Sequence, residues 1–392
     1  MSDNRSQSYK ERAIPYARHH IDEADIQAVV EVLRSDFLTQ GPKIEAFEKE
    51  LCEVSGAKYA VAVSSGTAAL HIACMCLGIG KGDTGIVPAN TFVATANCLR
   101  YCQGEVAFCG VDERTGKAGV KHFRELVESG VTPKVILPVS FAGSAKGLAE
   151  VKAYADQIGA KVIEDAAHSL GASYVAADGR TYRSGSCSHS DLAILSFHPV
   201  KHICAGEGGA VLTNDAEIAQ RARRLRSHGI EKTDAVRDAE GPWAYDQLEL
   251  GYHYRMTDIQ AALGLSQLKK LPGFLERRRA IAKRYLELLD KEPFSSKFEL
   301  PEKDEGSAWH LFVLRFANKE MRKRAYGYLH EQGIRVQVHY RPVFLNEYYN
   351  GEQAVETGNA FYLSLPLYPL LSDEDIERVA HCLREFCFND SI

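Results

Sequence analysis

A series of short, unbroken apolar runs between residues 59 and 213 most constrains what this chain can fold into. Amphipathic stretches with helical spacing, such as HFRELVES and LAEVKAYADQIG, separate most of these runs. Strands that are covered on both faces carry continuous apolar residues instead of an alternating pattern. The order therefore predicts an α/β fold whose mostly parallel sheet is covered by helices. The predicted strands are YAVAVS, GIVPA, EVAFCGV, KVILPVS, KVIEDA, LAILSF and GGAVLTN.

The pattern changes at about residue 256, which indicates a second structural unit. Residues 256–290 carry helical spacing and predict a long helix with a break near Pro272. A strand-like run, WHLFVLRF, and two further amphipathic helices follow. A chain of 392 residues is too long for a single small domain. We therefore expect a large domain over residues 14–255 and a smaller α+β domain over residues 256–392.

Composition and charge argue against several classes of protein. The formal net charge is −5 and basic residues form only short clusters, so we do not expect a nucleic-acid partner. No run of about 18 apolar residues is present and the first fifteen residues are polar, so we expect neither a membrane span nor a signal peptide. The ten cysteines form no Cys-x-x-Cys pair. We interpret them as reduced thiols of a cytoplasmic protein, and we expect no metal site.

The stretch SSGTAALH joins the end of a predicted strand to the start of a predicted helix. Gly66 would let the backbone approach a ligand closely, and Thr67 adds a hydroxyl group. The first N–H groups of a helix are unpaired and lie at the positive end of its dipole, which suits a phosphate. An ordinary N-terminal cap explains the same residues equally well.

Two other stretches place polar residues at the ends of predicted strands. In KVIEDAAHS, Asp165 ends a strand and His168 follows three residues later. An acid at this position points to the crevice in which α/β proteins bind ligands, although a salt bridge within the protein accounts for it as well. In LAILSFHPVKHICAGEGG, Ser196 ends a strand and Lys201 follows among small or apolar neighbours. Such surroundings lower the pKa of a lysine amine, as a Schiff base requires, but a lysine in an exposed surface loop would have the same sequence context.

Taken together, the three stretches favour pyridoxal 5′-phosphate (PLP) as a cofactor. Lys201 would bind the cofactor covalently, Asp165 would keep its ring nitrogen protonated, and the SSGTAALH stretch would bind its phosphate. Between them, PANTFVAT places Phe92 after a strand, where its ring could stack on the cofactor or pack in the core. A nicotinamide cofactor is not expected, because no G-x-G-x-x-G motif opens a helix after a strand.

The same motifs, in the same order, resemble those of the DegT/DnrJ/EryC1/StrS sugar aminotransferases. The resemblance covers nearly the whole chain. It implies the PLP-dependent transferase fold type I of aspartate aminotransferase, and a homodimer with shared active sites. The stretches that carry it are LTQGPKIEAFE, SSGTAALH, PANTFVATAN, EDAAHSLGA, SFHPVKHICAGEGG, RSHGI, GYHYRMTDIQAALG and VHYRP.

The resemblance implies a role for individual positions. Lys201 would be the catalytic residue that binds the cofactor and moves the proton. Asp165 would pair with the pyridine nitrogen, Phe92 would stack on the ring, and His168 would lie near the phenolic oxygen. His253, where the family usually has asparagine, would reach the phosphate from the other subunit. The remaining phosphate-binding residues would be Gly66, Thr67 and Ser196.

Within the family, IPYARHHID and VQVHYRPVFL look most like the branch that makes pseudaminic acid. That likeness implies transfer of the amino group of L-glutamate to C4 of a UDP-linked 4-keto-6-deoxy-N-acetyl hexose. Three alternatives stay open: C3 amination of a dTDP-keto sugar, dehydration of a sugar, and a non-catalytic binding protein. A lysine at position 201 argues against the dehydratases, which have histidine there. The residues implied to bind the sugar nucleotide are Tyr16, Thr39, Gln40, Arg255, His339 and Tyr340.

Overall fold

The computed structural model describes residues 13–291, 294, 297–349 and 361–389. Its helices are α1 (Glu23–Leu33), α2 (Pro42–Ser55), α3 (Gly66–Cys76), α4 (Val93–Tyr101), α5 (Val120–Glu128), α6 (Leu148–Gln157), α7 (Ala216–Leu225), α8 (Asp234–Glu240), α9 (Asp258–Leu289), α10 (Lys319–Glu331) and α11 (Asp373–Asn389). Its strands are β1 (Tyr59–Val63), β2 (Thr84–Pro88), β3 (Glu105–Cys109), β4 (Val135–Ile136), β5 (Lys161–Asp165), β6 (Ser173–Val175), β7 (Thr181–Arg183), β8 (Leu192–Ser196), β9 (Gly209–Thr213), β10 (Ile230–Glu231), β11 (Asp246–Gln247), β12 (Phe298–Glu299), β13 (Phe312–Phe316) and β14 (Phe361–Leu365).

Seven strands form the central sheet in the order β1-β9-β8-β5-β4-β2-β3. Neighbours from β8 to β3 are parallel, and β9 runs antiparallel to both β1 and β8. The predicted mostly parallel sheet is therefore confirmed. The reversal of β9 has a physical cause: the loop over residues 197–208 contains no helix to carry the chain across a face of the sheet.

Both faces of the central sheet are buried, as its continuous apolar strands predict. On β1, Val61 and Val63 belong to one core, whereas Ala60 and Ala62 belong to another. Side chains of α3 and α4 fill the first core, and side chains of α2 and α9 fill the second. A third core packs α5 and α6 against the strands at the β3 end. The C-terminal ends of the parallel strands, where such sheets bind ligands, therefore rest on a rigid support.

The C-terminal part of the chain contains a second, antiparallel sheet in the order β12-β13-β14. It packs with α10, α11 and the C-terminal half of α9 in a core of its own. The N-terminal segment joins this core through the buried Ile14. The N–H of Ile14 donates to the carbonyl of Gly333 at 2.9 Å, and its carbonyl accepts from the N–H of Arg335 at 2.8 Å. The division into domains at residue 255 remains a prediction.

The long helix α9 is continuous, so the predicted break near Pro272 is wrong. Proline inside a helix removes one backbone donor and costs about 3 kcal/mol. Leu271 and Leu275 on either side of it are buried in the core shared with α2. Ile281 and Tyr285, about two to three turns later, are buried in the core of the antiparallel sheet. Packing along both halves of the helix offsets the loss of one hydrogen bond.

Within the described ranges, none of the helices combines the length and the apolar character that a membrane span needs. The same part of the chain brings together no group of three or more His, Cys, Asp or Glu side chains that could hold a metal ion.

Candidate active site

A cavity of about 490 Å³ lies at the C-terminal ends of β2, β5 and β8. Its volume is typical of a small-molecule site. Both the central sheet and segments near the second sheet contribute to its wall. It gathers most of the residues predicted to bind cofactor or substrate: Tyr16, Gly66, Thr67, Phe92, Asp165, His168, Ser196, Lys201, His339 and Tyr340.

Lys201 lies on the cavity wall in the loop that follows β8. Its backbone N–H donates to the carbonyl of His198 at 2.8 Å, which closes a turn. Burial lowers the pKa of the Lys201 amine to about 8; Asp165 opposes this shift and the positive charge of Arg278 adds to it. An amine with such a pKa is partly neutral near physiological pH. A neutral amine is the nucleophile that Schiff-base chemistry needs.

Asp165 is buried at the end of β5 with both carboxylate oxygens hydrogen-bonded. Its Oδ2 accepts from Thr95 Oγ1 at 2.8 Å, and its Oδ1 accepts from the N–H of Ala167 at 3.1 Å. The Thr95 hydroxyl also lies 2.8 Å from that of Thr91. Burial raises the pKa of Asp165, against the effect of both hydrogen bonds and of Lys201. A cation beside this buried carboxyl group would stabilise its negatively charged form.

Glu164 precedes Asp165 in β5 but lies on the other face of the sheet, because successive side chains of a strand alternate. Its carboxylate accepts hydrogen bonds from the Ser140 hydroxyl at 3.1 Å and from the N–H of Gly185 at 3.0 Å. The Ser184 hydroxyl donates to it as well. These bonds anchor two loops to β5. Of the adjacent acids, Glu164 therefore stabilises the fold and only Asp165 lines the cavity.

The stretch SSGTAALH forms the cavity wall at the start of α3. Ser65 caps the helix, since its hydroxyl oxygen accepts from the N–H of Ala68 at 3.1 Å. At Gly66, a Cβ atom would lie 2.9 Å from the Cβ of Ser196, so only glycine fits against the end of β8. The helix therefore has an ordinary cap, and Gly66 and Thr67 also line the cavity. Phosphate binding at this stretch stays a prediction.

Buried, neutral histidines border the cavity. The Nε2 atom of His168 lies 3.1 Å from the Tyr340 hydroxyl, and its ring centroid lies 4.2 Å from that of His310. His202 packs behind, with its centroid 5.5 Å from that of His310. Burial lowers the pKa of all three imidazoles well below the usual value. Among the described residues the Nδ1 atom of each has no hydrogen-bond partner, which suits His168 and His310, on the cavity wall, to bind a ligand atom or water.

Four of the predicted site residues do not line this cavity. Thr39, which pairs with Thr257, is exposed, as is Gln40. His253 is also exposed, and Arg255 is half-buried near it. The resemblance implies that His253 reaches the active site of the other subunit. Its position outside the cavity of its own subunit agrees with that role. The roles of all four remain predictions.

Thr95 and His310 line the cavity but were not among the residues predicted to form the site. Thr95 had a usable signal, because it follows Phe92 by one turn of α4 and so lies on the same side of that helix. His310 had none. It lies two residues before β13, in a different part of the chain, and only the fold brings it against His168.

The side chains present fit PLP. Asp165 offers a buried acceptor for a protonated ring nitrogen, and Lys201 offers an amine of lowered pKa. The start of α3 and the Ser196 hydroxyl offer donors for a phosphate. The unpaired Nδ1 of His168 offers a partner for a polar substituent of the ring.

Comparison with known proteins identifies the family. The model of the DegT/DnrJ/EryC1/StrS aminotransferase family matches residues 19–384. The chain belongs to that family. Its members are PLP-dependent, and this chain is a PLP-dependent sugar aminotransferase with the predicted fold type I architecture. PLP as the cofactor is thereby confirmed.

Solved structures of other aminotransferases are similar over almost the whole length. PseC of Helicobacter pylori, an aminotransferase involved in the biosynthesis of pseudaminic acid, is 28% identical with a TM-score of 0.86, and the match covers 96% of this chain and 100% of that one. DesV of S. venezuelae, in complex with a ketimine intermediate, is 32% identical with a TM-score of 0.80, covering 93% and 94%. NtdA of Bacillus subtilis, with bound cofactor PMP, is 28% identical with a TM-score of 0.81, covering 94% and 83%.

Proposed function

We propose that this sugar aminotransferase transfers the amino group of L-glutamate to C4 of a UDP-linked 4-keto-6-deoxy-N-acetyl hexose. The main support for the proposal is that a single cavity is lined by Lys201 and Asp165 together with Tyr16, His339 and Tyr340. The last three come from the IPYARHHID and VQVHYRPVFL stretches that resemble the pseudaminic acid branch. The likeness to PseC over 96% of this chain supports the same branch.

Lys201 carries the proton transfers in this proposal. PLP, when bound, supplies an electron sink through which an amino group passes between two substrates. Lys201 would hold the cofactor covalently and Asp165 would pair with its ring nitrogen. Once a substrate amine displaces it, Lys201 Nζ is the base that takes the proton from the amine-bearing carbon and the acid that returns it. A pKa of about 8 suits both tasks near neutral pH.

The polar residues proposed for the sugar are uncharged. The Nδ1 atom of His339 lies 2.8 Å from the Ser364 hydroxyl, which fixes the orientation of the ring. Burial lowers the pKa of His339 to about 4, so the imidazole is neutral at pH 7. Burial raises the pKa of Tyr340, so its hydroxyl stays protonated. Neutral donors and acceptors suit the hydroxyl, keto and N-acetyl groups of a hexose.

The enzyme would act as a homodimer in the cytoplasm. Large apolar side chains are exposed beside the predicted residues outside the cavity: Phe37 is 54% exposed and Leu38 46%, next to Thr39, and Leu250 is 73% exposed near His253. Such clusters are typical of surfaces that another subunit covers. The predicted residues outside the cavity would then complete the neighbouring site. None of the cysteines that the structure describes forms a disulfide, as expected in a reducing compartment.

The order of the two half-reactions tests the mechanism. Holoenzyme mixed with L-glutamate alone should release 2-oxoglutarate before any sugar is added. Lys201→Ala is the matched control and should release none. Release that requires the sugar nucleotide contradicts the two-stage reaction.

The substrate is tested separately with a panel of UDP- and dTDP-linked keto sugars, whose products are identified by NMR. A 4-amino UDP-sugar is the expected product. A 3-amino dTDP-sugar would overturn the substrate assignment while leaving the aminotransferase activity intact. Sedimentation velocity at several concentrations tests the dimer, and a monomer with full activity contradicts it.

A further inference from the structure

A second cavity, of about 480 Å³, has no role in the reaction proposed above. Its wall comes from three segments, within residues 112–122, 141–147 and 301–313, and from Tyr362. Its volume also lies in the range of small-molecule sites. We name it the lysine pocket after the four lysines that line it: Lys117, Lys121, Lys146 and Lys303.

The acidic side chains of the lysine pocket are already paired within the protein. Asp112 and Asp304 accept hydrogen bonds from backbone N–H groups of their own turns, and Asp304 also accepts one from a serine hydroxyl. Glu302 lies 3.9 Å from the guanidinium of Arg114. The hydrogen bonds to Asp112 and Asp304 come from neutral donors, so both carboxylates stay negatively charged and act on Lys117. Two carboxylates therefore face the three lysines that have no ion pair, which leaves an excess of one positive charge.

Lys121 lies 3.8 Å from Glu125, whereas the other three lysines form no ion pair with any residue that the structure describes. The ammonium of Lys117 donates to the Ser144 hydroxyl at 2.9 Å and to the carbonyl of Lys146 at 3.0 Å, and both acceptors are neutral. Lys146 and Lys303 are exposed at the rim. The pocket thus carries an excess of positive charge that an anion would balance.

Two helices begin at the lysine pocket and add to its positive field. Gly119 precedes α5 and Gly147 precedes α6, and both line the pocket. Neither glycine has a side chain that could cap its helix, although the N–H of Gly119 itself donates to His122 Nδ1 at 3.1 Å. The first N–H groups of a helix and the positive end of its dipole bind anions, phosphate above all. Lysine ammonium groups are common phosphate partners as point charges.

Part of the remaining wall of the pocket is apolar and aromatic. Phe141, Trp309, Leu311 and Val313 line it and are themselves well packed in the protein. A bare phosphate ion would leave this surface uncovered and most of the volume unfilled. A flat aromatic base attached to the phosphate would cover it.

We propose that the lysine pocket binds a nucleoside phosphate, with the phosphate at the lysines and helix starts and the base against the apolar wall. The site is distinct from the active site. Phe141 lies between the two, since it lines the lysine pocket and its ring centroid is 6.2 Å from that of Tyr340 and 6.1 Å from that of His168. The two cavities share no lining residue in the part of the chain that the structure describes.

Trp309 provides a reporter inside the pocket. The chain has two tryptophans, and the other, Trp243, is 75% exposed, so Trp243→Phe leaves Trp309 as the single tryptophan, which is excited selectively near the red edge of its absorption band. The PLP-loaded Trp243→Phe enzyme is titrated with UMP, with uridine and with inorganic phosphate. UMP should change the fluorescence saturably and bind at least tenfold more tightly than either fragment alone. Binding should weaken as ionic strength rises.

A lysine double variant separates the lysine pocket from the active site. Lys146→Gln/Lys303→Gln should weaken UMP binding about tenfold or more, because two charge-assisted contacts are lost. Lys58→Gln/Lys81→Gln, which removes two exposed lysines outside the pocket, should leave it unchanged. The cofactor absorption band serves as the check that each variant is folded.

Several outcomes would overturn the proposal. Equal UMP affinity in the two double variants would place the binding elsewhere, such as the active site. Uridine as tight as UMP would remove the phosphate assignment, and phosphate as tight as UMP would remove the nucleoside. An absence of any saturable signal would mean that the pocket has no such ligand.

Discussion

The hydrogen bond between Thr95 and Asp165 gives the sharpest test of the candidate active site. Thr95→Val keeps the shape of a fully buried side chain but removes the donor that lies 2.8 Å from Asp165 Oδ2. A hydrogen bond to a charged group contributes roughly 1.5–3 kcal/mol, and its loss raises the pKa of Asp165 further. If Asp165 pairs with the protonated ring nitrogen, PLP should bind roughly 10- to 100-fold more weakly.

The dissociation constant is measured by titrating the apoenzyme with PLP and following its absorption. Thr213→Val is the matched control: Thr213 is also fully buried, and its hydroxyl donates to the carbonyl of Asp191 at 3.0 Å, away from the cavity. Both variants should lower the melting temperature, but only Thr95→Val should lose cofactor affinity. If the two variants bind PLP equally well, Asp165 does not hold the cofactor in the way we infer.

Three further predictions concern the same cavity. Gly66→Ala should destabilise the protein by roughly 1–3 kcal/mol and weaken PLP binding, because the new Cβ would lie 2.9 Å from the Cβ of Ser196. Adding Ser196→Gly to the same chain should restore the melting temperature. If it does not, the steric explanation is wrong. The rate at which the apoenzyme attaches PLP to Lys201 should rise with pH and level off above about 8, because the neutral amine reacts; stopped-flow rates that are flat between pH 6 and 8 would be inconsistent with this. Arg278→Met should shift that profile to higher pH, because it removes a positive charge that lowers the pKa of Lys201, and an unshifted profile would show that Arg278 acts only on stability.

Much of the fold was predictable because its signals are local. The buried strands of the central sheet read as continuous apolar runs, and Gly56 ends α2 with a φ of 84°, as a glycine cap should. The antiparallel β9 was not predictable in the same way, because strand direction depends on the path of the connecting loop. The continuity of α9 through Pro272 was not predictable from the sequence either, because it depends on packing against residues far away in the chain.

The same difference between local signals and long-range contacts applies to the candidate site. Asp165, Ser196 and Lys201 were predictable because each sits at or just after the end of an apolar strand, and parallel strands present these ends at one edge of the sheet. His310 was not, because its part in the site depends on how the second sheet is placed beside the first. For the pKa of Lys201, the sequence predicted only the direction of the change, because the fold places Asp165 and Arg278, which act in opposite directions, near the amine.

The N-terminal segment has a consequence for how the protein is made. Ile14 bonds to Gly333 and Arg335, and the carbonyl of Tyr16 accepts from the N–H of Leu367. A ribosome synthesises Tyr16 first among the residues of the cavity wall, yet its binding partners emerge hundreds of residues later. The central sheet can form while synthesis continues, since domains fold as units from the N-terminal end. The part of the cavity wall that includes Tyr16 can form only later, so a complete cavity is expected only after residues 333–367 have left the ribosome.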